Sequence, residues 1–367
     1  MFKNLFKRNN NKDKTVYVGL SGGVDSAVSA AILKDQGYNV IAVFIKTWAP
    51  DGYPCPSDDD KRQSMIVAAH LRIPWLEIDA EEAYKKNVAE YMLNEYKIGN
   101  TPNPDVFCNT TVKFGTFYDM AIGHGADFIA TGHYAQMIKQ ENNTSDTNHS
   151  NFLMHTGLDN SKDQSYFLWN VPFEKLQKTI FPIGNLHKTK VRELAKEYKL
   201  PNANRPDSQG VCFLGPIDMK MFIKENLNPT TGNILNESGQ IIGTHDGSIL
   251  YTIGERHGFK INIPSQRPYF VINKNIENNT ITVSHDVNDN TKENKNIFTK
   301  NENWLPVRPN ENEIIDAVFR YHGEKIKVKL TNKNEILFVD KKINIAPGQS
   351  VVFYKDNICL GGGIVSY

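Results

Sequence analysis

Cysteine is scarce and scattered: Cys55, Cys108, Cys212 and Cys359 are the only four in 367 residues. That is too few for a disulfide scaffold in so long a chain, and no C-x-x-C pair is present to build a zinc site. No apolar run approaches the ~18 residues needed to cross a bilayer, so neither a transmembrane helix nor a membrane partner is expected. The basic opening MFKNLFKRNNNKDK is too short and too polar for a secretory signal. Residues 1–14 are read as a disordered tail, and a reducing cytoplasmic location is the default. No internal repeat is found. Net charge is nearly absent as well, at +1, so contact with nucleic acid has to come from a local patch. His187–Arg205 is one candidate, with Lys188, Lys190, Arg192, Lys196, Lys199 and Arg205 against only Glu193 and Glu197. A solvated helix face explains that stretch equally well.

What is present is a clear alternation of strand and helix patterns through the first third of the chain. TVYVGL, NVIAVFIKTW and IPWLEI read as strands, while AVSAAILKDQG, residues 81–97 and VKFGTFYDMAIGHG read as helices. This order predicts an α/β fold with a parallel sheet in a nucleotide-binding, Rossmann-like domain over 15–206. A small β-rich middle domain is expected over 207–285, from short runs such as GNIL, IIGT, ILYTI, YFVINK and TITVSH, with a hairpin turn at Asn278-Asn279. The polar stretch 286–303 is read as a linker. AVFRYH, KIKVKL, EILFVD, QSVVFY and ICLGGGIVSY then predict a C-terminal β-barrel domain over 304–367.

Ser21-Gly22-Gly23-Val24-Asp25-Ser26 falls between the first strand and the first helix. Two glycines let successive N–H groups face one point, and a helix N-terminus adds partial positive charge there. The Ser21 and Ser26 hydroxyls can donate to phosphate oxygens. Asp25 would repel phosphate, so a bridging Mg²⁺ is the natural reading. The string is neither a Walker A loop nor G-x-G-x-x-G. A tight strand-to-helix turn with Ser and Asp caps is the plain alternative.

SGGVDS in this position resembles the pyrophosphate loop (PP-loop) of the N-type ATP pyrophosphatases. Two cysteine neighbourhoods, Asn103-Pro104-Asp105-Val106-Phe107-Cys108-Asn109 and Asp207-Ser208-Gln209-Gly210-Val211-Cys212-Phe213, resemble the active-site motifs of the tRNA-specific 2-thiouridylases. ATGHY, KDQSYFL, FPIG, TIGERHG, PGQSVVFY and CLGGGI resemble the same family, so the likeness runs through all three expected domains.

The resemblance implies 2-thiolation of the wobble uridine of tRNA, with the Lys, Glu and Gln acceptors as substrates. ATP adenylates the C2 oxygen, and sulfur arrives from a persulfide-carrying donor protein. Cys212 would carry the persulfide and Cys108 would complete the transfer, ending in a disulfide that an outside reductant resets. Asp105 would serve as general acid or base, and an Asx-turn after Pro104 is its plain alternative. An iron–sulfur cluster held by Cys108, Cys212 and Asp105 is the other conceivable sulfur source. The nucleotide would be lined by Gly19, Leu20, Ser21, Gly22, Gly23, Val24, Asp25, Ser26, Ile45 and Gly132. The tRNA would meet Asn103, Pro104, Asp105, His133, Lys162, Asp163, Gln164, Arg320, Tyr321 and Gln349, with the target base flipped from its stack. Cys55 reads as a bystander and Cys359 as core. The competing classes are a nitrogen-transferring synthetase of the same superfamily, for which no glutaminase segment is evident, and a non-catalytic RNA-binding module.

Overall fold

The computed structural model describes residues 11–50, 57–140, 152–207, 219–286, 296–341 and 343–367. Its first strand, β1 (Thr15–Gly19), is the middle of a parallel sheet. The chain continues through α1 (Val24–Asp35), β2 (Asn39–Lys46), α2 (Ser57–Leu71) and β3 (Trp75–Asp79). The helix expected over 81–97 is one run: α3 (Glu81–Tyr84), a wide π-helical turn at Lys85–Glu90, and α4 (Tyr91–Lys97). A second run joins α5 (Pro104–Phe107), a π-helical stretch Cys108–Phe117 and α6 (Tyr118–Gly123). After it come β4 (Phe128–Ala130), β5 (Ala135–Lys139), β6 (Phe152–Thr156), α7 (Phe173–Gln177), β7 (Thr179–Ile180) and α8 (Lys188–Glu197).

The sheet order is β3-β2-β1-β4-β7 and every pairing is parallel. Strand order reverses between β1 and β4, which opens a crevice above their C-terminal ends where open α/β sheets bind ligands. Side chains alternate across the sheet, as strand geometry requires. Val16, Val18, Val40, Ala42 and Ala130 pack with residues of α1 and α8 on one face. Tyr17, Val43, Ile45 and Ile129 share a second core with the Cys108–Phe117 helix.

The middle region starts with α9 (Met219–Leu227) and builds a second sheet from β8 (Gly232–Leu235), β9 (Ile241–His245), β10 (Lys260–Ile261), β11 (Phe270–Asn275) and β12 (Thr280–Ser284). Asn279, at φ 47°, makes the tight turn between β11 and β12. ILYTI is not a strand: Ser248–Leu250 forms a single 3₁₀ turn.

β13 (Ile297–Trp304), β14 (Ile315–Val318), β15 (Ile326–Leu330), β16 (Glu335–Phe338), β17 (Ser350–Lys355) and β18 (Ile358–Ser366) form an antiparallel barrel that closes through β13 and β18. The stretch read as a linker over 286–303 therefore contains most of β13. Its polar KNEN sequence hid a strand held by ladder hydrogen bonds to β16 and β18, with Ile297 in the barrel core. Residues 11–14 of the expected tail are also held: Lys14 Nζ lies 2.7 Å from Asp127, and Asn11 donates to Gln36 O.

The barrel is joined to the first domain by a shared core. Trp169, Tyr166 and Leu168 bury with Leu305, Val352, Tyr354 and Cys359. Tyr166 donates its hydroxyl to Ser350 O at 2.9 Å, and Asn303 Nδ2 donates to the carbonyls of Trp169 and Val171 at 2.7 and 3.0 Å. The β5–β6 ribbon attaches to β18 through Ile358 opposite His155. Among the described residues, no helix is long and apolar enough to cross a membrane.

Candidate active site

The phosphate loop leaves β1 at Gly19 and turns into α1 at Val24. Leu20 N donates to Val43 O, which ties the loop to the neighbouring strand. Gly22 has φ +79°, and a Cβ there would stand 2.5 Å from Asp60 O. Its carbonyl accepts from Asn202 Nδ2 at 2.8 Å and Arg205 Nη1 at 3.2 Å. Ser26 Oγ accepts from Ser21 N, lies 3.2 Å from Ser21 Oγ and donates to Gly23 O. No side chain caps the N-terminus of α1, so its first N–H groups suit an anion. Gly132, just past β4, has to be small: a Cβ there would lie 2.8 Å from Ser26 N and 2.9 Å from Asp25 C. Ile45, 7% exposed, belongs to the core cluster that also holds Cys108.

Asp25 does not stand alone at the loop. Lys188 Nζ donates to its two oxygens at 2.7 and 2.8 Å, and Tyr134 donates its hydroxyl at 3.0 Å. Burial, then the Asp25 charge, keeps the Tyr134 phenol protonated far above its ordinary range. The same Lys188 Nζ lies 2.8 Å from Asp207 Oδ1, and Asp207 also takes Lys162 at 3.0 Å and a guanidinium bond from Arg192. Burial alone would raise Asp207, but the hydrogen bonds and charges of Lys188 and Lys162 outweigh it and hold the carboxyl well below the usual range. One carboxylate and two hydroxyls at the loop are a donor set that fits Mg²⁺ bound mainly by phosphate oxygens and water.

Lys188, Tyr134 and Asp207 as loop partners were missed in the sequence, since nothing local links them to Asp25. The same contacts correct the basic stretch His187–Arg205. Lys188 and Arg192 turn inward, and Arg205 binds Asp59, Asp60 and the Gly22 carbonyl. Lys196 and Lys199 remain exposed. Half of the apparent patch, Lys188, Arg192 and Arg205, is internal wiring.

Cys108 is 1% exposed and sits in a helix, although the sequence around Cys108 and Cys212 reads as polar and loop-like. Pro104 supplies the fixed φ that starts this helix. Asn103 precedes it and accepts from Ser350 N through Oδ1 at 2.6 Å, so the barrel holds the entrance to the helix. Gln349, 9% exposed, is the residue before that donor. Asp105 is half-buried near Tyr321. Burial first, then the charges of Asp163 and Asp105, push the Tyr321 phenol up to about 12. Tyr321 packs on Phe167 with ring centroids 4.4 Å apart. π-Helical turns such as the one at Cys108 concentrate at functional sites.

Arg320 is exposed and donates to Ile253 O at 2.7 Å, which bridges the barrel to the middle region. Gln164 and Tyr134 are reciprocally joined, Gln164 N to Tyr134 O and Tyr134 N to Gln164 Oε1. Asp163 is turned inward, accepting from Gly157 N, Ser165 N and Ser165 Oγ. His133, 6% exposed, pairs with Thr131 Oγ1 through Nδ1 at 2.8 Å and packs by Phe114 and Phe181. The structure thus links Gly132, Lys162 and Gln164 to the Gly19–Ser26 loop beside the core shared with α1 and α8, and sets Asn103–Cys108 with Tyr321 against the second core, while His133 is buried and Asp163 half-buried. Cys212 and Cys55 lie outside the described residues. Cys359 is core as expected, 0% exposed, its thiol pushed up to about 12 by burial.

Three family models cover the chain. They are described as a tRNA methyl transferase HUP domain over residues 14–216, a tRNA methyl transferase PRC-barrel domain over 220–285 and an aminomethyltransferase beta-barrel domain over 294–365. The chain is 40% identical over 363 residues to the tRNA-specific 2-thiouridylase MnmA of Bacillus velezensis, covering 96% of this chain and 95% of that protein. It is 39% identical to the Bacillus subtilis protein of the same name, with the same coverage. The Listeria monocytogenes serotype 4a protein matches at 40% over 97% of this chain and 95% of its own length.

Proposed function

The chain belongs to the tRNA-specific 2-thiouridylase family, and from that premise we propose that it replaces the C2 oxygen of the wobble uridine of tRNA with sulfur at the expense of ATP. The C2 oxygen is a poor leaving group. Attack of that oxygen on the α-phosphorus breaks the bond to the β-phosphate and releases pyrophosphate, leaving the oxygen as part of an AMP ester. The terminal sulfur of a Cys212 persulfide attacks C2 and AMP departs. The Cys108 thiolate then attacks the inner sulfur of Cys212, so that the S–S bond breaks, the thiouridine leaves with the outer sulfur, and a Cys108–Cys212 disulfide remains for an external thiol to reduce. Asp105 exchanges the proton on the base.

The observation that carries this reading is the anchoring of the chain on both sides of Cys212. Asp207, five positions before it, is tied through Lys188 to Asp25 of the phosphate loop. Met219, seven positions after it, packs against the cluster that contains Cys108 and Ile45. Both flanks thus support a meeting of the two thiols near the nucleotide.

Gly19–Ser26, Ile45 and Gly132 would hold ATP, and Asp25 would help hold Mg²⁺, which would supply positive charge to the phosphates. Lys162, Gln164, Arg320 and Tyr321 are the residues this reading assigns to the tRNA, by phosphate pairing or base stacking. Asn103, Pro104 and Asp105 receive the flipped base, while His133, Asp163 and Gln349 support it from inside. The acceptors are the Lys, Glu and Gln tRNAs, and a persulfide-carrying protein supplies the sulfur.

The test is a complete reaction with ATP, Mg²⁺, a persulfide source and unmodified tRNA, read by nucleoside mass. Thiouridine forms with the unaltered chain and is lost with Cys212→Ser, which still binds tRNA. Retained thiolation in Cys212→Ser rejects the sulfur relay. AMP release that depends on ammonia and not on tRNA rejects the substrate.

A further inference from the structure

Lys188 holds a place that the reaction scheme above leaves without a task. Its side chain is only 14% exposed, and its ammonium is shared between Asp25 and Asp207. Its own backbone is fixed, because Lys188 N donates to Asp159 Oδ2 at 2.9 Å. Asp25 is in the first turn of α1, beside the uncapped N–H groups that suit an anion. A polyphosphate entering there comes close to the Asp25 carboxylate, and a cation is needed between them.

The wiring leaves this ammonium able to turn to a ligand. Asp207 keeps Lys162 and Arg192 if Lys188 turns away, and Asp25 keeps the Tyr134 hydroxyl. Neither carboxylate is left bare, so the usual cost of breaking a partly buried pair is reduced. We propose that Lys188 is a phosphate ligand: its ammonium turns from Asp207 to the β-phosphate side of bound ATP and stays with pyrophosphate as the bond to the α-phosphate breaks. No proton moves. The ammonium stabilises the negative charge that the departing pyrophosphate gains. This inference rests on the nucleotide reading given above and adds to it a residue that carries the leaving group.

The experiment is equilibrium binding of ATP, pyrophosphate, adenosine and tRNA to the full chain carrying Lys188→Met. Removing the ammonium brings two carboxylates together, so Lys188→Met/Asp207→Asn is measured beside it, and far-ultraviolet dichroism verifies folding of both. A charge-assisted contact of this kind predicts that ATP and pyrophosphate weaken about tenfold or more. Adenosine and tRNA affinities stay within about twofold, because neither offers a polyphosphate to this ammonium. Unchanged ATP and pyrophosphate binding in a folded variant overturns the inference, and so does a parallel loss of adenosine, which marks a collapsed site. If the unaltered chain binds neither ATP nor adenosine, the nucleotide reading itself fails and takes this inference with it.

Discussion

Asn103 and Ser350 are 247 positions apart, yet the Asn103 carboxamide oxygen accepts the Ser350 backbone N–H at 2.6 Å. Ser350 is 1% exposed, so its N–H has no water to fall back on once that acceptor is removed. Asn103→Ala is expected to cost about 1–3 kcal/mol of stability. It is also expected to lower kcat for thiolation, because the helix bearing Cys108 loses its tether to the barrel. Denaturant titration and single-turnover thiolation measure the two effects. A variant as stable and as fast as the parent refutes the tether.

Gly132→Ala pushes a methyl group into the backbone of the phosphate loop, 2.8 Å from Ser26 N. The expected result is a loss of ATP affinity of about tenfold or more, with a destabilisation of about 1–3 kcal/mol from overpacking. Gly123→Ala is the comparison, since nothing lies within 4 Å of a Cβ there and the residue is helical. That change should be neutral or stabilise by up to about 1 kcal/mol. Isothermal calorimetry with ATP, together with melting curves, distinguishes the pair.

Acid should weaken the fold through His133. Burial, and after it the Lys113 charge, holds the folded imidazole well below its ordinary value of 6.5. Below pH 6.5 the unfolded chain takes up a proton that the folded chain refuses. Stability is therefore fully present above that value and declines as pH falls, by at most about 1.4 kcal/mol per pH unit for one such group. His155 and His245 are held low by burial too and add in the same direction. His133→Asn should flatten the decline between pH 7 and 5 in urea titrations. An unaltered pH slope would show that His133 is not the group responsible.

Cys359 serves as the inert reference for the roles proposed for Cys108 and Cys212. It is wholly buried, and its pKa of about 12 leaves almost no thiolate near neutrality. Cys359→Ala should keep the thiolation rate within about twofold while lowering stability by about 1–2 kcal/mol for the small cavity. A persulfide route also predicts that fully active protein is colourless and free of iron. Iron counted in proportion to activity would favour the cluster held by Cys108, Cys212 and Asp105.

Much of this molecule is legible from local pattern. The strand–loop–helix around SGGVDS, the parallel sheet and the barrel strands all announce themselves through periodicity and glycine placement. What stayed hidden is long-range pairing. Lys188 reads as one more surface lysine until folding brings Asp25 to it from 163 positions away. Arg205 likewise finds Asp60 across 145 positions. NPDVFC looks like a loop because it opens on three turn-forming residues, Asn103, Pro104 and Asp105, whereas Pro104 begins a helix that buries Val106 and Cys108. Residues 297–303 look like a linker because a closed barrel lets a polar strand be held by its two neighbours.

The last strand has a consequence for how the chain is made. β18 pairs with β13 and β17, meets β6, buries Cys359 beside the first domain's core and sets Gly362 so close to the Trp169 indole that a Cβ there would lie 2.9 Å from the ring. On the ribosome, Tyr166, Leu168 and Trp169 emerge long before these partners and remain uncovered until β18 is made. A premature stop ahead of Ile358 then leaves the first domain sticky and uncovered for the quality-control proteases, and no smaller working enzyme.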